Sequence, residues 1–413
     1  MNPRGSDRDG MMQGQIQKVL LTTKWLPAYV GQRLTRRTPP SQPVHLIIAV
    51  ADHFEPAIIP EMPGAYADLD VQMRRLQHWC RRYPKVVDRW RDSDGRPFRH
   101  TYFYPAEQYD KRVIDLLAEH CRAGWGEIEI HLHHGVAAPD TAEETRRLLL
   151  EFRDALAGHG CLCQWEDDPT PRYAFVHGNW ALANSAGGRC CGVDEEMRIL
   201  AETGAYADLT LPSAPHRGQV AKINALYECA LPLHRRAPHR RGRDLRRGRA
   251  PRTFPLIIQG PLMLDWSRRG RGWPAPRIEN GELTGRRPAT MHRLGLWRRA
   301  AITVRGRSDW VFIKLHCHGM DPRDEAAMLG LPLTRFLRDV TEAMRAPGGD
   351  RLHFVTGREM VNIILAACDG RAGSPSDYRD YRLRPIRKAV HGGAASPARP
   401  QSRTAHREDV HGS

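Results

Sequence analysis

A repeated alternation of strand-like and helix-like segments constrains the fold of this chain more than any other feature. The run at 44–56, VHLIIAVADHFEP, is almost continuously apolar, as are strands buried on both faces of a parallel sheet. An amphipathic helix is predicted at 109–124, and 141–160 opens with the T-x-x-E pattern of a capping box. About eight strands can be assigned, so we expect an α/β fold, a distorted (β/α) barrel of seven or eight parallel strands with outer helices.

Composition divides the 413 residues into three regions. Residues 1–42 are polar, basic and proline-containing, and they predict a flexible basic leader. Residues 43–370 carry the strand–helix alternation and predict a single barrel domain. From Arg371 the chain is rich in Gly, Ser, Pro and Arg, so 371–413 is predicted to be a disordered tail.

The net charge of +16 comes largely from one short stretch. Between Arg235 and Arg252 there are nine arginines and one acid, Asp244, which together supply +8, half of the total. Three interpretations of the surrounding segment 228–253 stay open: a solvated or disordered insertion, a coding artefact such as a local frameshift, and a phosphate-binding arm. The near absence of apolar residues favours the insertion, and nucleic acid is the least favoured partner.

The cysteines bear on location and on ligands. There are nine of them and no C-x-x-C pattern, so we expect no disulfide scaffold and a reducing, cytoplasmic location. The N-terminus has no apolar core of signal-peptide length, and no run approaches a membrane span. The pairs Cys161 with Cys163 and Cys190 with Cys191 could supply thiolate ligands, but their spacing is not that of a zinc knuckle and favours a structural role.

Histidines concentrate where the predicted strands end, which is where a parallel barrel places its chemistry. Side chains two apart on a strand share a face, so in EIEIHLHHG the face with His131 and His133 is polar and the other face is apolar. Burying these imidazoles is costly unless they are paired or bind an ion, and metal coordination with a carboxylate would remove that cost. The residues at these strand ends are Asp52, His53, His131, His133, His134, His177, His316 and His318.

Four segments resemble the polysaccharide deacetylase superfamily: VADHFEP at 50–56, HTYFYP at 100–105, EIEIHLHHG at 127–135 and FIKLHCHG at 312–319. The resemblance covers roughly 44–370 and implies a distorted (β/α) barrel with a metal held by an aspartate and two histidines. That family separates its two ligand histidines by four residues and carries an Arg-Pro-Pro-Tyr segment, and neither pattern is present here. Which histidines bind therefore stays open.

The resemblance implies a hydrolase that removes an N- or O-acetyl group from a carbohydrate, with a nucleotide- or lipid-linked precursor of a cell-surface polysaccharide as the expected form of substrate. The implied cation is divalent, zinc in the first instance. Non-catalytic sugar binding and nucleic-acid association are the alternatives. The implied metal ligands are Asp52, His53, His131, His133 and His134, with parity favouring His131 and His133. The implied catalytic residues are Asp52 or Glu55 as base and His316 or His318 as acid, with His177, Trp180 and Lys314 binding substrate.

Overall fold

The computed structural model describes residues 20–36, 43–62, 64–267 and 276–386. Helices and strands alternate along most of this length, as the sequence predicts. The helices are α1 (Leu26–Thr35), α2 (Leu69–Val87), α3 (Lys111–His120), α4 (Ala142–Gly158), α5 (Glu196–Thr203), α6 (Met291–Arg299), α7 (Glu325–Leu329), α8 (Leu331–Arg345) and α9 (Gly357–Cys368). None of these described helices is long and apolar enough to cross a membrane.

Fifteen strands are assigned within the same residues. They are β1 (His45–His53), β2 (His100–Pro105), β3 (Gly126–Leu132), β4 (Cys163–Trp165), β5 (Asp168–His177), β6 (Ala205–Asp208), β7 (Leu226–Cys229), β8 (Gly242–Asp244), β9 (Leu256–Ile258), β10 (Met263–Asp265), β11 (Arg277–Glu279), β12 (Glu282–Leu283), β13 (Trp310–Cys317), β14 (Arg351–Phe354) and β15 (Leu383–Pro385). Residues 106–108, 121–125, 182–184, 238–240 and 375–378 form short helical turns.

One curled sheet organises the molecule. Ten strands follow the order β12-β13-β1-β2-β3-β5-β6-β9-β7-β8, and the pairings from β12 to β9 are parallel. The last two strands, β7 and β8, run antiparallel to their neighbours. No ladder joins β12 to β8 in the described part of the chain, so the sheet is an open half-barrel. The α/β class is confirmed, whereas a closed barrel of seven or eight strands is not.

Strand parity divides the interior into two cores. Side chains on the inner, concave face pack with α9, whereas those on the outer face pack against α2, α3, α4 and α8. In β1, for example, Ala49 and Ala51 belong to the inner core while Ile48 and Val50 belong to the outer core. The two faces of each strand end consequently open onto different surroundings, and this decides which side chains can form a common site.

The arginine-rich segment 228–253 is ordered and belongs to the sheet. Its β8 pairs with β7, and Arg243 forms an ion pair with Glu228, whose other carboxylate oxygen accepts from the backbone of Arg252. Leu245 is buried in the inner core. The prediction of a disordered insertion is therefore wrong here, because pairing with acids and with the edge of the sheet compensates for the low apolar content.

The predicted disordered tail also needs correction. Residues 371–386 continue the domain: β15 pairs with β4, and buried Arg379 donates to the Phe354 carbonyl and to the carboxylate of Glu359. Residues 387–413 lie outside the described residues. The predicted leader 1–42 likewise contains α1, which follows buried Trp25, while 1–19 and 37–42 are not described.

Candidate functional site

Six side chains meet at the carboxyl ends of three strands that lie close together in the sheet, β1, β3 and β13. The ring centre of His53 lies 4.7 Å from those of both His131 and His318, and the rings of His131 and His133 are 4.5 Å apart. Parallel strands bring their carboxyl ends to one edge, which explains the convergence of segments far apart in sequence. We call this group the open cluster, and its members are His53, Glu55, His131, His133, His316 and His318.

His131 is held with one ring nitrogen turned towards the centre of the open cluster. Its Nδ1 lies 2.8 Å from the carbonyl oxygen of Val176, its partner in the β3–β5 ladder, and this acceptor fixes the proton on Nδ1. Nε2 faces Oε1 of Glu55 at 3.2 Å; when protonated it donates to that carboxylate, and when unprotonated it is free to bind a cation. A backbone acceptor behind an imidazole is the usual arrangement around a metal-binding histidine.

His133 is oriented in the same way by a carboxylate. Its Nδ1 lies 2.7 Å from Oε1 of Glu107, and its Nε2 lies 3.7 Å from Oε1 of Glu55. The ring packs directly on Gly178, where a Cβ atom would overlap it. Because about a fifth of the His133 side chain is exposed (21%), solvent reaches the open cluster from this side.

His53 and Glu55 complete a set that fits a cation. The nitrogens of His53 and His131 and a carboxylate oxygen of Glu55 all lie within 4.8 Å of one another. Nδ1 of His53 is buried and has no hydrogen-bond partner among the described residues. Burial, followed by the neighbouring histidines, holds the pKa of His53 well below its usual value, so the ring is neutral. Two neutral imidazoles beside a carboxylate are a suitable donor set for a divalent metal.

Glu55 is ionised despite its burial. Burial alone would raise the pKa of this carboxyl, but the hydrogen bond from His131 and the charges of the surrounding histidines lower it to about 2. The carboxylate is therefore available as a ligand or as a proton acceptor at ordinary pH.

A second group lies on the outer face, where β3 and β5 end, and is almost completely enclosed. Nε2 of His134 lies 2.9 Å from Oε1 of Glu196 and 3.2 Å from Nε2 of His177. The Sγ atom of Cys191 lies 3.6 Å from the other oxygen of Glu196. All four residues are buried. We call His134, His177, Cys191 and Glu196 the closed cluster.

Two of the predicted site residues, His134 and His177, belong to the closed cluster and not to the open cluster. His134 was expected to share a metal with His131 and His133, but it follows them with opposite parity and turns to the outer face. His177 was expected to contact substrate, yet it shares the outer core with Phe175 and is fully buried. Neither residue can reach a ligand bound at the open cluster.

Asp52 also lies outside the open cluster, contrary to the prediction. It alternates with His53 on β1, so its side chain lies in the outer core, where Oδ2 is 2.9 Å from Nδ1 of His100 and Oδ1 accepts from the backbone of Gly319. The carboxylate is fully buried beside the Cys317 thiol, whose pKa burial raises well above its usual value. This position is incompatible with the predicted roles of metal ligand and base at the mouth, and Glu55 is the acid found there instead.

The remaining predicted residues lie at different depths. Lys314 is buried beneath His316, and its ammonium donates to the carbonyl of Leu209 at 2.8 Å, so it does not reach the mouth as a substrate ligand. Trp180 is only partly buried, with its ring 5.6 Å from that of His216. His316 is buried with its Nδ1 lacking a described partner, whereas His318 is partly exposed.

The sequence alone did not point to three participants. Glu107 follows β2 as part of an ordinary polar turn, and Glu196 is one of two acids on α5. Cys191 could supply a thiolate ligand, but its spacing from Cys190 is not that of a zinc knuckle and favours a structural role. Only the spatial meeting of β3, β5 and α5 identifies these residues, and no local spacing encodes it.

Comparisons with known proteins add little to this geometry. No protein-family model and no curated protein matches the sequence. Among solved structures, the chain is similar to an alpha-mannosidase from Enterococcus faecalis V583, with a TM-score of 0.32 and 10% sequence identity. The similarity covers 78% of this chain and 29% of the mannosidase chain, so this chain spans less than a third of that protein. A likeness this weak says nothing about activity, and the resemblance to polysaccharide deacetylases stays a prediction.

Proposed function

We propose that the chain is a metal-dependent hydrolase whose active site is the open cluster. The observation that carries this proposal is the convergence of His53, Glu55 and His131 within 4.8 Å at a solvent-accessible strand edge. Catalytic metal sites keep a position open to water or substrate, and the partial exposure of His133 and His318 fits that requirement.

The residues of the open cluster have different roles, cation binding or proton acceptance, according to their positions. His53 and His131 would hold the cation, with His133 joining them and Glu107 keeping the His133 ring in place. A bound divalent ion, zinc on this donor set, would lower the pKa of its water and polarise the substrate carbonyl. Glu55, facing both His131 and His133, accepts the proton of the attacking water at its carboxylate.

Two further groups fit hydrolysis of an acyl–sugar bond. The ring of His318 lies 4.7 Å from that of His53 and is partly exposed, so it can donate a proton to the leaving amine or alcohol. Trp180, partly exposed and two residues beyond the Gly178 that supports His133, offers an aromatic face to a sugar ring. The N- or O-acetyl carbohydrate as substrate rests on the motif resemblance alone.

The test combines metal content with turnover. We expect zinc-loaded wild type to release acetate from N- or O-acetylated oligosaccharides, and the double variant His131→Ala, His133→Ala to lose at least about 10³-fold in kcat/KM together with one equivalent of metal. His78→Ala is the matched control, because His78 is an exposed histidine whose ion pair in the described part of the chain is with Glu325.

Two results would overturn the proposal. One is a wild-type protein that retains metal at the open cluster but releases no acetate, which would leave a sugar-binding or other role. The other is a double variant that hydrolyses as fast as the His78→Ala control.

A further inference from the structure

We propose that the closed cluster is a second metal site, a structural zinc site formed by His134, His177, Cys191 and Glu196. The inference is independent of the hydrolase proposal, because it concerns the opposite face of the sheet and needs no turnover. Its donor set of two imidazoles, one thiolate and one carboxylate suits Zn²⁺, which tolerates mixed nitrogen, sulfur and oxygen ligands.

The donor atoms lie near the separations that tetrahedral coordination requires, with Nε2 of His134 and Oε1 of Glu196 closer together, at 2.9 Å. Zinc–nitrogen bonds of about 2.1 Å and zinc–sulfur bonds of about 2.3 Å place ligand atoms roughly 3.3 to 3.8 Å apart. Nε2 of His177 lies 3.2 Å from Nε2 of His134 and 3.7 Å from Oε1 of Glu196. Sγ of Cys191 lies 3.6 Å from Oε2 of Glu196, and one donor atom from each of the four residues falls within a 4.8 Å limit.

The surroundings hold two of the ligands in a binding orientation. Nδ1 of His134 lies 2.8 Å from Oδ2 of Asp140, which leaves Nε2 facing the centre of the closed cluster, as carboxylates do behind metal-bound histidines. The backbone N–H of Val193 donates to Sγ of Cys191 at 3.5 Å, and a hydrogen bond to sulfur favours the thiolate.

Burial assigns the closed cluster a structural role. The side chains of His134, His177 and Glu196 are between 0 and 2% exposed, and Cys191 is fully buried. Structural zinc sites are closed in this way, with four protein ligands and no place for substrate. The ligands come from the segment after β3, the end of β5, the loop before α5 and the first turn of α5, so one ion would join four segments.

Without an ion, the four donors are poorly matched. His134 can be an imidazolium between Asp140 and Glu196, but Nε2 of His177 then faces a protonated nitrogen at 3.2 Å. Because the Asn179 N–H donates to Nδ1 of neutral His177, the His177 proton sits on Nε2 and the two N–H groups oppose each other. A bound Zn²⁺ would take the place of both Nε2 protons: that of His177 moves to its Nδ1 at the cost of the hydrogen bond from Asn179, and those of His134 and of the Cys191 thiol are released to solvent.

The experiment measures zinc stoichiometry in the full-length protein after reloading with Zn²⁺ and timed exposure to a chelator. We expect two equivalents in wild type, one removed rapidly from the open cluster and one removed at least about tenfold more slowly. The variant His131→Ala, His133→Ala should keep the slow equivalent, and Cys191→Ser should lose it while keeping the rapid one. Cys163→Ser, another buried cysteine, is the matched control and should keep both.

The outcomes separate this inference from the hydrolase proposal. A Cys191→Ser protein with as much slow zinc as the Cys163→Ser control overturns the second site, and so does a His131→Ala, His133→Ala protein with no zinc. Loss of only the rapid equivalent, or absence of turnover, affects the open cluster alone.

A spectroscopic measurement covers the case in which Cys191→Ser does not fold. Wild-type protein loaded with Co²⁺ should show a near-ultraviolet thiolate-to-cobalt band with the intensity of one Co–S bond. Cys317→Ser should keep this band, which excludes the Cys317 thiol beside Asp52 as its source. Absence of the band in folded wild type, or its loss in Cys317→Ser, overturns the assignment.

Discussion

His133 and His134 are neighbours in sequence, yet they belong to two sites with opposite properties. Each imidazole has a carboxylate behind its Nδ1, Glu107 at 2.7 Å for His133 and Asp140 at 2.8 Å for His134. The side chain of His133 is 21% exposed, and that of His134 is 2% exposed. The two rings leave the same strand end on opposite faces, so one segment serves both an accessible cluster and an enclosed one.

Solvent exposure determines how much stability a polar cluster loses when one of its groups is left unpaired. At the open cluster, water reaches the partly exposed His133 and His318, so side chains beside them can be arranged for reaction at a modest cost in stability. At the closed cluster no water compensates, and every donor and acceptor has to be matched by the protein or by an ion. The same residue types should therefore affect turnover in one cluster and folding in the other.

The largest difference in the free energy of unfolding is expected between the variants Glu196→Ala and Glu55→Ala. Removing Glu196 leaves buried His134 and the backbone N–H of Ala183 without their acceptor, which should lower the free energy of unfolding by about 3–5 kcal/mol. Removing Glu55 should lower it less, by about 1 kcal/mol, and instead abolish hydrolysis, since water can enter beside His133, whose side chain is 21% exposed. Urea denaturation with paired activity assays measures both effects.

If the two variants lose similar amounts of unfolding free energy, the open cluster is also part of the folding core. Glu151→Ala serves as the reference, since that acid is exposed on α4 and, among the described residues, pairs with Arg147.

A smaller contrast is expected from two glycines that support the neighbouring histidines. A Cβ at Gly135 would overlap the backbone of Cys191, and Gly135 has a positive φ of 60°, so Gly135→Ala should lower stability by about 2 kcal/mol or more. A Cβ at Gly178 would overlap only the ring of His133, which can move.

Gly178→Ala should therefore cost about 1 kcal/mol or less while reducing kcat/KM by about tenfold or more through displacement of His133. Thermal denaturation and initial rates on the same preparations distinguish the two. If Gly178→Ala turns over like wild type, His133 does not belong to the reacting site.

Strand periodicity predicted the open cluster because that site follows from local pattern. Alternation in EIEIHLHHG placed His131 and His133 on one face, and the strand-end rule brought them towards His53 and His318. The same alternation places Asp52 on the face opposite His53, but the resemblance to deacetylases had assigned it to the mouth. Parity within this chain was the better guide.

The closed cluster and the sheet closure could not be predicted in the same way. Glu196 and Cys191 meet His134 only through the path of a loop of more than ten residues between β5 and α5, which contains several non-glycine residues with positive φ. Whether a curled parallel sheet closes depends on pairing between its end strands, which hydrophobic periodicity does not specify. The order of 371–386 likewise depends on buried ion pairs such as Arg379 with Glu359, which composition hides.

Lys314 is on the same face as His316 and His318 but is buried as deeply as the closed cluster. Its protonation state therefore shows whether the solvated part of the open cluster extends to this depth. Burial lowers the pKa of its ammonium from 10.5 to about 7, and the nearby charge of Asp208 opposes that shift only in part. Asp208 is also buried, and burial raises the pKa of its carboxyl to about 7, so the carboxyl is uncharged at lower pH. The group that faces Lys314 from β6 is thus a weak partner, and the carbonyl of Leu209 is its hydrogen-bond acceptor.

Above pH 7 the folded chain releases the Lys314 proton, whereas the unfolded chain keeps it until about 10.5. The unfolded state then binds more protons, so this lysine makes wild type gain stability as pH rises through that window. Lys314→Met lacks the gain, and its stability relative to wild type should fall by on the order of 1 kcal/mol per pH unit above 7, with kcat/KM changed by less than about threefold. Urea denaturation at several pH values measures the slope. A parallel pH dependence in the two proteins would show that Lys314 is charged and solvated, and would extend the open cluster one layer deeper into the half-barrel.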